Sequence, residues 1–457
     1  MMLTLRDALR RYFPVALLLM AVAVAPLAAP PKAQAADAGL VLEALGILRE
    51  RYVDPVDTVQ LLNGGLAGMK SALSAAGVTV DLANIPAGTG QGQAESQFRG
   101  RFDTANSAAA GRVNTTELAY AAVRGMTGVF NDSHTGFITP DQNRERQLRQ
   151  RRQAAFSGIG VVLMPREGRF YIRDVIPNTP AEAAGVTALD RIMRVDTTPT
   201  NGLQADQVAG LIRGPAGTNV QLQLGRPGRT DVVTVNVTRA PIQIPAIFQV
   251  KMLEGGVGYL HLYQFVNRTG VDFRGALERL IGQGLRGLII DLRANSGGFL
   301  HELNATMNTL LPTGRPIYQE TTRGGQPRTT RTSGVPVLPG HIPLVVLIDE
   351  ASASAAELMS SALQEQGRAT LVGAKTSGAV EASVLIDLSD DSALSVTVLR
   401  LASGLGKRLE NVGVNPDVTL AMNVTDLDQG RDTQLQRAIQ IVRQRLGLAR
   451  TAAPTTR

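Results

Sequence analysis

Two runs of consecutive aliphatic residues constrain this chain more than any other feature. Gly287-Leu288-Ile289-Ile290-Asp291-Leu292-Arg293 and Leu344-Val345-Val346-Leu347-Ile348-Asp349 lack the polar alternation of a strand with one wet face. They predict strands covered on both sides, as in a parallel sheet between helical layers. Each run ends in a turn of small or polar residues, Asn295-Ser296-Gly297-Gly298 in the first case and Ala351-Ser352-Ala353-Ser354 in the second. A helical pattern follows each turn, through Gln366 in the second case. Val257 to Leu262, followed by helical spacing over Val271 to Gln283, gives the same unit again. Strand, turn and helix in repetition predict an α/β core with chemistry at the strand carboxyl ends.

The core is not the whole chain, because 457 residues exceed what one compact core holds and predict two or three domains. Leu40 to Tyr52, Val56 to Ala75 and Leu118 to Phe130 carry apolar residues at helical spacing. The Gly/Ala/Gln-rich stretch from Gly77 to Gly111 shows little periodicity and is expected to be a loop or insertion. Arg144 to Arg152 holds five arginines among glutamines and predicts a solvated linker helix. From Phe156 the pattern changes to short strands and turns. These are Gly158 to Leu163, Phe170 to Ile176, Asp190 to Val195, Val220 to Leu224 and Val232 to Val237, with helices at Pro180 to Ala184 and Ala205 to Ile212. The expected organisation is therefore a segment 1–35, a helical region 36–152, a β-rich module 153–240, an α/β core 241–425, and a C-terminal helix and tail 426–457. The fold class is multidomain α/β (α+β).

Segment 1–35 reads as a secretory signal peptide. Arg6, Arg10 and Arg11 precede the apolar run Val15 to Ala25, and small residues lead to Ala33-Gln34-Ala35. The expected location is periplasmic or extracellular. The alternative is an uncleaved anchor holding the chain at a membrane, although the apolar run is short for a span. Removing the segment takes away four basic residues and one acidic one, so the net charge falls from +7 to +4, too little to predict nucleic acid as a partner. The chain has no cysteine, which excludes disulfides, a thiol nucleophile and thiolate metal sites. With only four histidines, a zinc site is not expected either, and no cofactor is.

Ser354 lies just past a buried strand at the start of a helix. A hydroxyl there faces free backbone N–H groups suited to a developing oxyanion, or it is simply a helix cap. The glycines of Asn295-Ser296-Gly297-Gly298 can aim a backbone N–H at a substrate carbonyl, or they make an ordinary tight turn. Local pattern leaves both alternatives open.

Several motifs, in order along the chain, resemble the carboxyl-terminal processing (tail-specific) serine proteases. They are Tyr52-Val53-Asp54-Pro55, Phe156-Ser157-Gly158-Ile159-Gly160, Pro180-Ala181-Glu182-Ala183-Ala184-Gly185, Gly258-Tyr259-Leu260, Asp291 to Gly298, Ser352 to Glu357 and Gly413-Val414-Asn415-Pro416-Asp417. The resemblance implies a PDZ domain set into a ClpP/crotonase-like protease core. It makes Ser354 the nucleophile and the N–H groups of Gly297 and Ala355 the oxyanion hole. The loop Phe156, Gly158, Ile159, Gly160 and Val161 would hold the carboxylate of a substrate tail docked as an added strand. The partners implied are proteins or peptides bound through their C-termini.

One departure bears on the base. The family's lysine stands in a G-K-G turn that here reads Gly378-Ala379-Val380. Lys375 is four residues earlier, about 13 Å along an extended chain at about 3.3 Å per residue. The tricorn-like branch of the fold uses serine, histidine and glutamate instead. In this chain the matching residues are His134, in Asp132-Ser133-His134-Thr135-Gly136, and Glu410, in Leu409-Glu410-Asn411-Val412-Gly413. Histidine titrates near neutrality, and a carboxylate on its far nitrogen fixes its tautomer. His301 is a rival base, while His261 and His341 read as strand or loop residues. A different class of function also fits the missing lysine: an inactive adaptor that only binds C-termini.

Overall fold

The computed structural model describes residues 36–130, 134–153 and 157–448; the expected signal peptide lies outside them, as does Phe156. Among the described residues, no helix is long and apolar enough to cross a membrane.

Helices α1 (Ala38–Arg51), α2 (Thr58–Ala75), α3 (Gln91–Ala109) and α4 (Thr115–Thr127) build the first region. Asp37 and Asp57 cap the first two, and Asn114 with Glu117 closes a capping box on α4. Helix α3 corrects the expectation of a loop between Gly77 and Gly111. Its buried residues Ala94, Phe98, Phe102, Ala105 and Ala109 form a stripe at helical spacing. Alanine, glycine and glutamine around that stripe diluted the pattern in the sequence. Helices α2 and α4 pack at backbone contact. A Cβ on Gly68 would sit 2.1 Å from the Ala121 carbonyl oxygen, and one on Gly125 would sit 2.2 Å from that of Gly64.

Strand β1 (Gly136–Ile138) and the arginine-rich helix α5 (Pro140–Gln153) lead to the β-rich module. It contains β2 (Ser157–Gly158), β3 (Val161–Arg166), β4 (Arg169–Val175), α6 (Pro180–Ala183), β5 (Arg191–Val195), β6 (Thr198–Pro199), α7 (Ala205–Ile212), β7 (Asn219–Gly225), β8 (Val232–Thr238) and β9 (Ala240–Pro241). Its main sheet runs β3-β4-β5-β7-β8, leaving β3 at an edge.

The remainder forms a second, larger unit. Its elements are β10 (Ile247–Leu253), β11 (Val257–Leu262), α8 (Thr269–Gly282), β12 (Gly287–Asp291), α9 (Leu300–Met307), β13 (Pro316–Thr322), β14 (Arg328–Arg331), β15 (Leu344–Ile348) and α10 (Ala355–Glu365). They continue with β16 (Thr370–Gly373), β17 (Ala382–Asp387), β18 (Ala393–Ser403), β19 (Val418–Thr419), α11 (Val424–Asp428) and α12 (Thr433–Arg445). One sheet has the order β10-β11-β12-β15-β16-β19 and is parallel from β11 onward. Its strands feed two separate clusters. Leu288, Ile290, Leu344 and Val346 pack under α8, α9 and α10, while Ile289, Val345 and Leu347 pack against Ala438, Ile441 and Val442 of α12. The two faces together explain the unbroken apolar runs.

A second sheet, β1-β18-β13-β14 with β17 also on β18, was not visible in the sequence. Leu388 of the β17–β18 hairpin, with Leu394 and Val396 of β18, shares one hydrophobic cluster with α1 to α4. The helical region thus shares its core with that hairpin, and β1 pairs with β18 at Gly136 to Ser395.

Replacing Gly125 by valine should overpack the α2–α4 contact at a cost of at least about 1–3 kcal/mol. Hydrogen exchange should then accelerate in α2 and α4 and stay unchanged in β3 to β8. Equal protection of α2 and α4 in variant and parent would contradict the packing described.

Candidate active site

Parallel pairing of β12 with β15 sets their two carboxyl-terminal turns side by side. The Ser352 hydroxyl donates to the Leu292 carbonyl (2.8 Å), and the Ala353 N–H to the Asn295 carbonyl (2.9 Å). Gly297 has φ +94° and lies directly under Ser354: a Cβ there would be 2.6 Å from the serine Cβ and 2.9 Å from the Ala355 nitrogen. Only glycine tolerates both the backbone and the contact. The Gly297 N–H donates to Asn295 Oδ1 at 2.8 Å, so this expected oxyanion donor is engaged within its own turn. Ala355 is the first residue of α10, where N–H groups have no intrahelical acceptor.

Ser354 is not placed like an ordinary cap. Its φ of 53° and ψ of −120° fall far from the extended conformation of helix N-caps. Such strain persists only where the surroundings enforce it, and Glu357 does so. That carboxylate, fully buried, accepts from the Ser354 N–H (3.1 Å), the Ala379 N–H (3.0 Å), the Gly378 N–H (2.7 Å) and the Thr376 hydroxyl (2.5 Å). Burial raises its pKa above the ordinary carboxylate value, against the downward pull of the four donors. The Ser354 N–H also reaches the Ala379 carbonyl at 2.9 Å. The turn where the family's lysine would stand therefore lies against the serine.

Glu410, also fully buried, enters the same turn from the other side. Its Oε2 accepts from the N–H groups of Val380 (2.8 Å) and Glu381 (3.1 Å). The Asn411 N–H donates to the Gly378 carbonyl (2.7 Å). His134 Nε2 stands 3.6 Å from Glu410 Oε2, an ion-pair separation longer than a hydrogen bond, with the imidazole 24% exposed. The Ser395 hydroxyl donates to the His134 carbonyl (2.5 Å), and Thr135 and Thr397 join their hydroxyls at 3.0 Å. Strand β18 thus fixes the backbone from which the imidazole projects.

The other basic groups are placed differently. Lys375 is solvent-exposed, as is His341. His301 is 69% exposed and stacks on Phe299. His261 is buried and pairs with Asp174 at 3.2 Å. Among the described residues, no cluster of three or more His, Cys, Asp or Glu side chains is arranged to hold a metal ion.

Beside β3 lies a groove of about 250 Å³ bordered by Gly158, Ile159, Gly160, Val161 and Leu163, by Ala205, Ala209 and Ile212 of α7, and by Tyr263 of the larger unit. Gly160 has φ +88°, and a Cβ there would lie 2.3 Å from Thr179. The module is docked through buried charge. Arg173 Nη1 meets Asp349 Oδ2 at 2.6 Å, while Asp349 Oδ1 accepts the Ala294 N–H (2.9 Å) and the Ser352 hydroxyl (3.2 Å). Arg173 also lies 3.7 Å from Asp291, which is held by Arg293 and by the Tyr259 hydroxyl (2.8 Å). Burial alone would push the Asp291 carboxyl up, but Arg293, His261 and Arg173 hold it far below the ordinary range. Asp174 is likewise lowered, burial being outweighed by His261 and then Arg173.

Sequence reasoning singled out Ser354, Gly297, Ala355, His134 and Glu410. It assigned nothing to Glu357, Thr376, Arg173 or Asp349. The Ser354-x-x-Glu357 spacing was a legible signal, since it matches a capping box. The Arg173–Asp349 pair joins residues far apart in sequence and left no local trace.

A model of peptidase family S41 matches residues 256–420, and a PDZ-domain model matches residues 157–237. The "C-terminal processing peptidase, chloroplastic" of Tetradesmus obliquus is 31% identical over 329 residues, covering 68% of this chain and 70% of that protein. The "Carboxyl-terminal-processing protease" of Picosynechococcus sp. is 29% identical over 350 residues, covering 74% of this chain and 82% of that protein. The solved structure of the photosystem II D1 C-terminal processing protease superposes with a TM-score of 0.53 at 25% identity, covering 89% of this chain and 97% of that one. Fold and site thus define a serine peptidase carrying a PDZ domain. The chain belongs to the carboxyl-terminal processing proteases of family S41.

Changing Glu357 to glutamine puts an amide NH₂ among hydrogen-bond donors. It should cost at least about 1.5–3 kcal/mol, the worth of one hydrogen bond to a charged group, and lower turnover as Ser354 relaxes. Calorimetry and peptide cleavage check this; parental stability and turnover would contradict it. The docking contact has its own pH signature. Asp291 and Asp174 titrate lower in the folded chain than in the unfolded one. Their stabilisation is therefore complete above the ordinary Asp value of about 4 and is lost only as pH falls below it. Denaturant unfolding should show this loss of stability setting in below about pH 4, where these carboxylates protonate; stability unchanged on going below that pH would contradict the assignment.

Proposed function

We propose that this chain is an exported endopeptidase that cleaves C-terminal regions of protein substrates, with Ser354, His134 and Glu410 as its catalytic residues. One observation carries the choice of base. The three residues Ala379-Val380-Glu381 touch the nucleophile through the Ala379 carbonyl and hold Glu410 through two N–H groups, and Glu410 faces His134. Imidazole and serine therefore converge on one loop, in which the alanine methyl offers no proton acceptor.

In this reading His134 Nε2 faces Glu410, and Nδ1 serves the serine. His134 accepts the Ser354 hydroxyl proton as the oxygen attacks the scissile carbonyl. Glu410 stabilises the imidazolium, whose proton then passes to the departing amine. Water, deprotonated by the same imidazole, releases the acyl group. The oxyanion takes the Ala355 N–H and, once it leaves Asn295, the Gly297 N–H, at about 3 kcal/mol per donor. Histidine placement also removes the need for a depressed lysine pKa.

The PDZ module, residues 153–240, would capture the substrate tail as a strand on the open edge of β3, with backbone N–H groups from Gly158 to Val161 receiving the carboxylate. The edge position of β3 and the groove between it and α7 support this. Phe156, assigned to the same loop, lies outside the described residues. Export rests on the residues before Ala36 alone, and a retained anchor would keep the enzyme at a membrane surface.

Ser354→Ala should abolish cleavage of an unfolded substrate yet keep tail-peptide affinity. His134→Ala should lose at least about a thousandfold in kcat, the scale seen when a triad member is removed. Lys375→Ala should cleave normally. A dead Lys375 variant beside an active His134 variant would replace the histidine with the lysine. Absence of cleavage by the parent chain would leave a tail-binding adaptor.

A further inference from the structure

Arg400 lies on β18, and its guanidinium joins two carboxylates that belong to different parts of the chain. One is Asp54, in the turn after α1. The other is Glu381, whose side chain is 4% exposed and whose Oε1 is 3.4 Å from Arg400 Nε. Glu381 has a second contact through its backbone: its N–H donates to Glu410 Oε2 at 3.1 Å. A continuous path thus runs from Asp54 through Arg400 and Glu381 to Glu410, and across 3.6 Å to His134.

The same turn is gripped again. Arg323 Nη1 donates to the carbonyls of Tyr52 (2.6 Å) and Asp54 (2.5 Å), and the Val53 N–H donates to the Thr397 carbonyl (2.8 Å). Thr397 turns its N–H to the Thr135 hydroxyl (3.2 Å), one residue beyond His134. Tyr52 packs on Phe130, ring centroids 4.0 Å apart, just ahead of the histidine segment. Both sides of the His134–Glu410 pair therefore depend on one turn, Tyr52 to Asp54. The carboxylate side depends on it through Arg400, the imidazole side through β18.

We infer that Arg400 is a positioning residue of the reaction, setting the distance between Glu410 and His134 by clamping Asp54 to Glu381. A guanidinium suits this task because its fork serves two carboxylates at once, which an ammonium does with poorer geometry. Arg400 itself is partly exposed and touches no reacting atom; its effect passes through the Glu381 backbone. The inference rests on the proposed role of His134 as base.

The test compares Arg400→Ala, Arg400→Lys and Asp54→Asn with the parent and with His134→Ala, measuring kcat, KM and the pH dependence of kcat on an unfolded protein substrate. Tail-peptide binding is measured on the Ser354→Ala background. Arg400→Ala should lower kcat by about tenfold to a hundredfold, the scale of a misplaced catalytic group, with KM and tail affinity unchanged. Loosening Glu410 removes a carboxylate that favours the imidazolium, so the acid limb of the profile should move to lower pH. Arg400→Lys should recover part of the loss, and Asp54→Asn should shift the limb in the same direction. A fall in kcat with an unmoved acid limb would mark Arg400 as merely structural and overturn the inference, as would an unchanged kcat. If His134→Ala retains full activity, the histidine reading fails and this inference with it. If that variant is dead while the Arg400 variants behave as the parent, only the inference fails.

Discussion

The candidate active site hangs on one buried carboxylate. Glu357 gathers four donors from two segments, the strained Ser354 and the loop from Thr376 to Ala379. Remove that acceptor and the N–H groups of Gly378 and Ala379 and the Thr376 hydroxyl would lose this partner, each at a cost of about 1–3 kcal/mol, while the Ser354 N–H would keep only the Ala379 carbonyl. This explains how a non-glycine residue can hold φ 53° at the head of a helix. The strain is balanced by hydrogen bonds that exist only in that geometry, so Ser354 and the loop are placed together or not at all.

From that anchor the site grows outward by backbone contacts. The loop fixed by Glu357 continues into Val380 and Glu381, which hold Glu410, and Glu410 faces an imidazole brought in by the amino-terminal half. The presence of Leu388, Leu394 and Val396 in the helical core is what brings that half to the site. A chain lacking α1 to α4 would lose both the lid of the β17–β18 hairpin and the support of His134. On the proposed triad, the peptidase core is chemically incomplete without the helices, although the S41 model covers only residues 256–420.

What the sequence showed and what it hid divide along physical lines. Buried parallel strands announce themselves because both faces are apolar, and residues 287–293 and 344–349 were unmistakable on that ground. The turns after them were equally plain, because small residues at strand ends have few other uses. Helix α3 was hidden by composition, since its stripe is built from three alanines and two phenylalanines among polar and small residues. The antiparallel sheet was hidden by distance: β1 and β18 are separated by more than two hundred residues, and no local pattern records such a pairing. The same holds for Arg173 and Asp349. His134 and Glu410 came from family resemblance, not from periodicity or spacing.

That long-range pair bears on how the domains work together. Asp349 receives Arg173 on one oxygen and, on the other, the Ala294 N–H at the head of the Asn295–Gly298 turn and the Ser352 hydroxyl two residues before Ser354. A carboxylate shared in this way cannot lose one partner without a change in its hold on the others, because an unpaired buried charge costs several kcal/mol. The PDZ module therefore does not hang from the peptidase by a passive tether. Where Gly297 points its N–H, now at Asn295, depends on a turn whose first amide is fixed by the same aspartate that fixes the module. The docked module and the arrangement of the Asn295–Gly298 turn are two ends of one hydrogen-bonded unit.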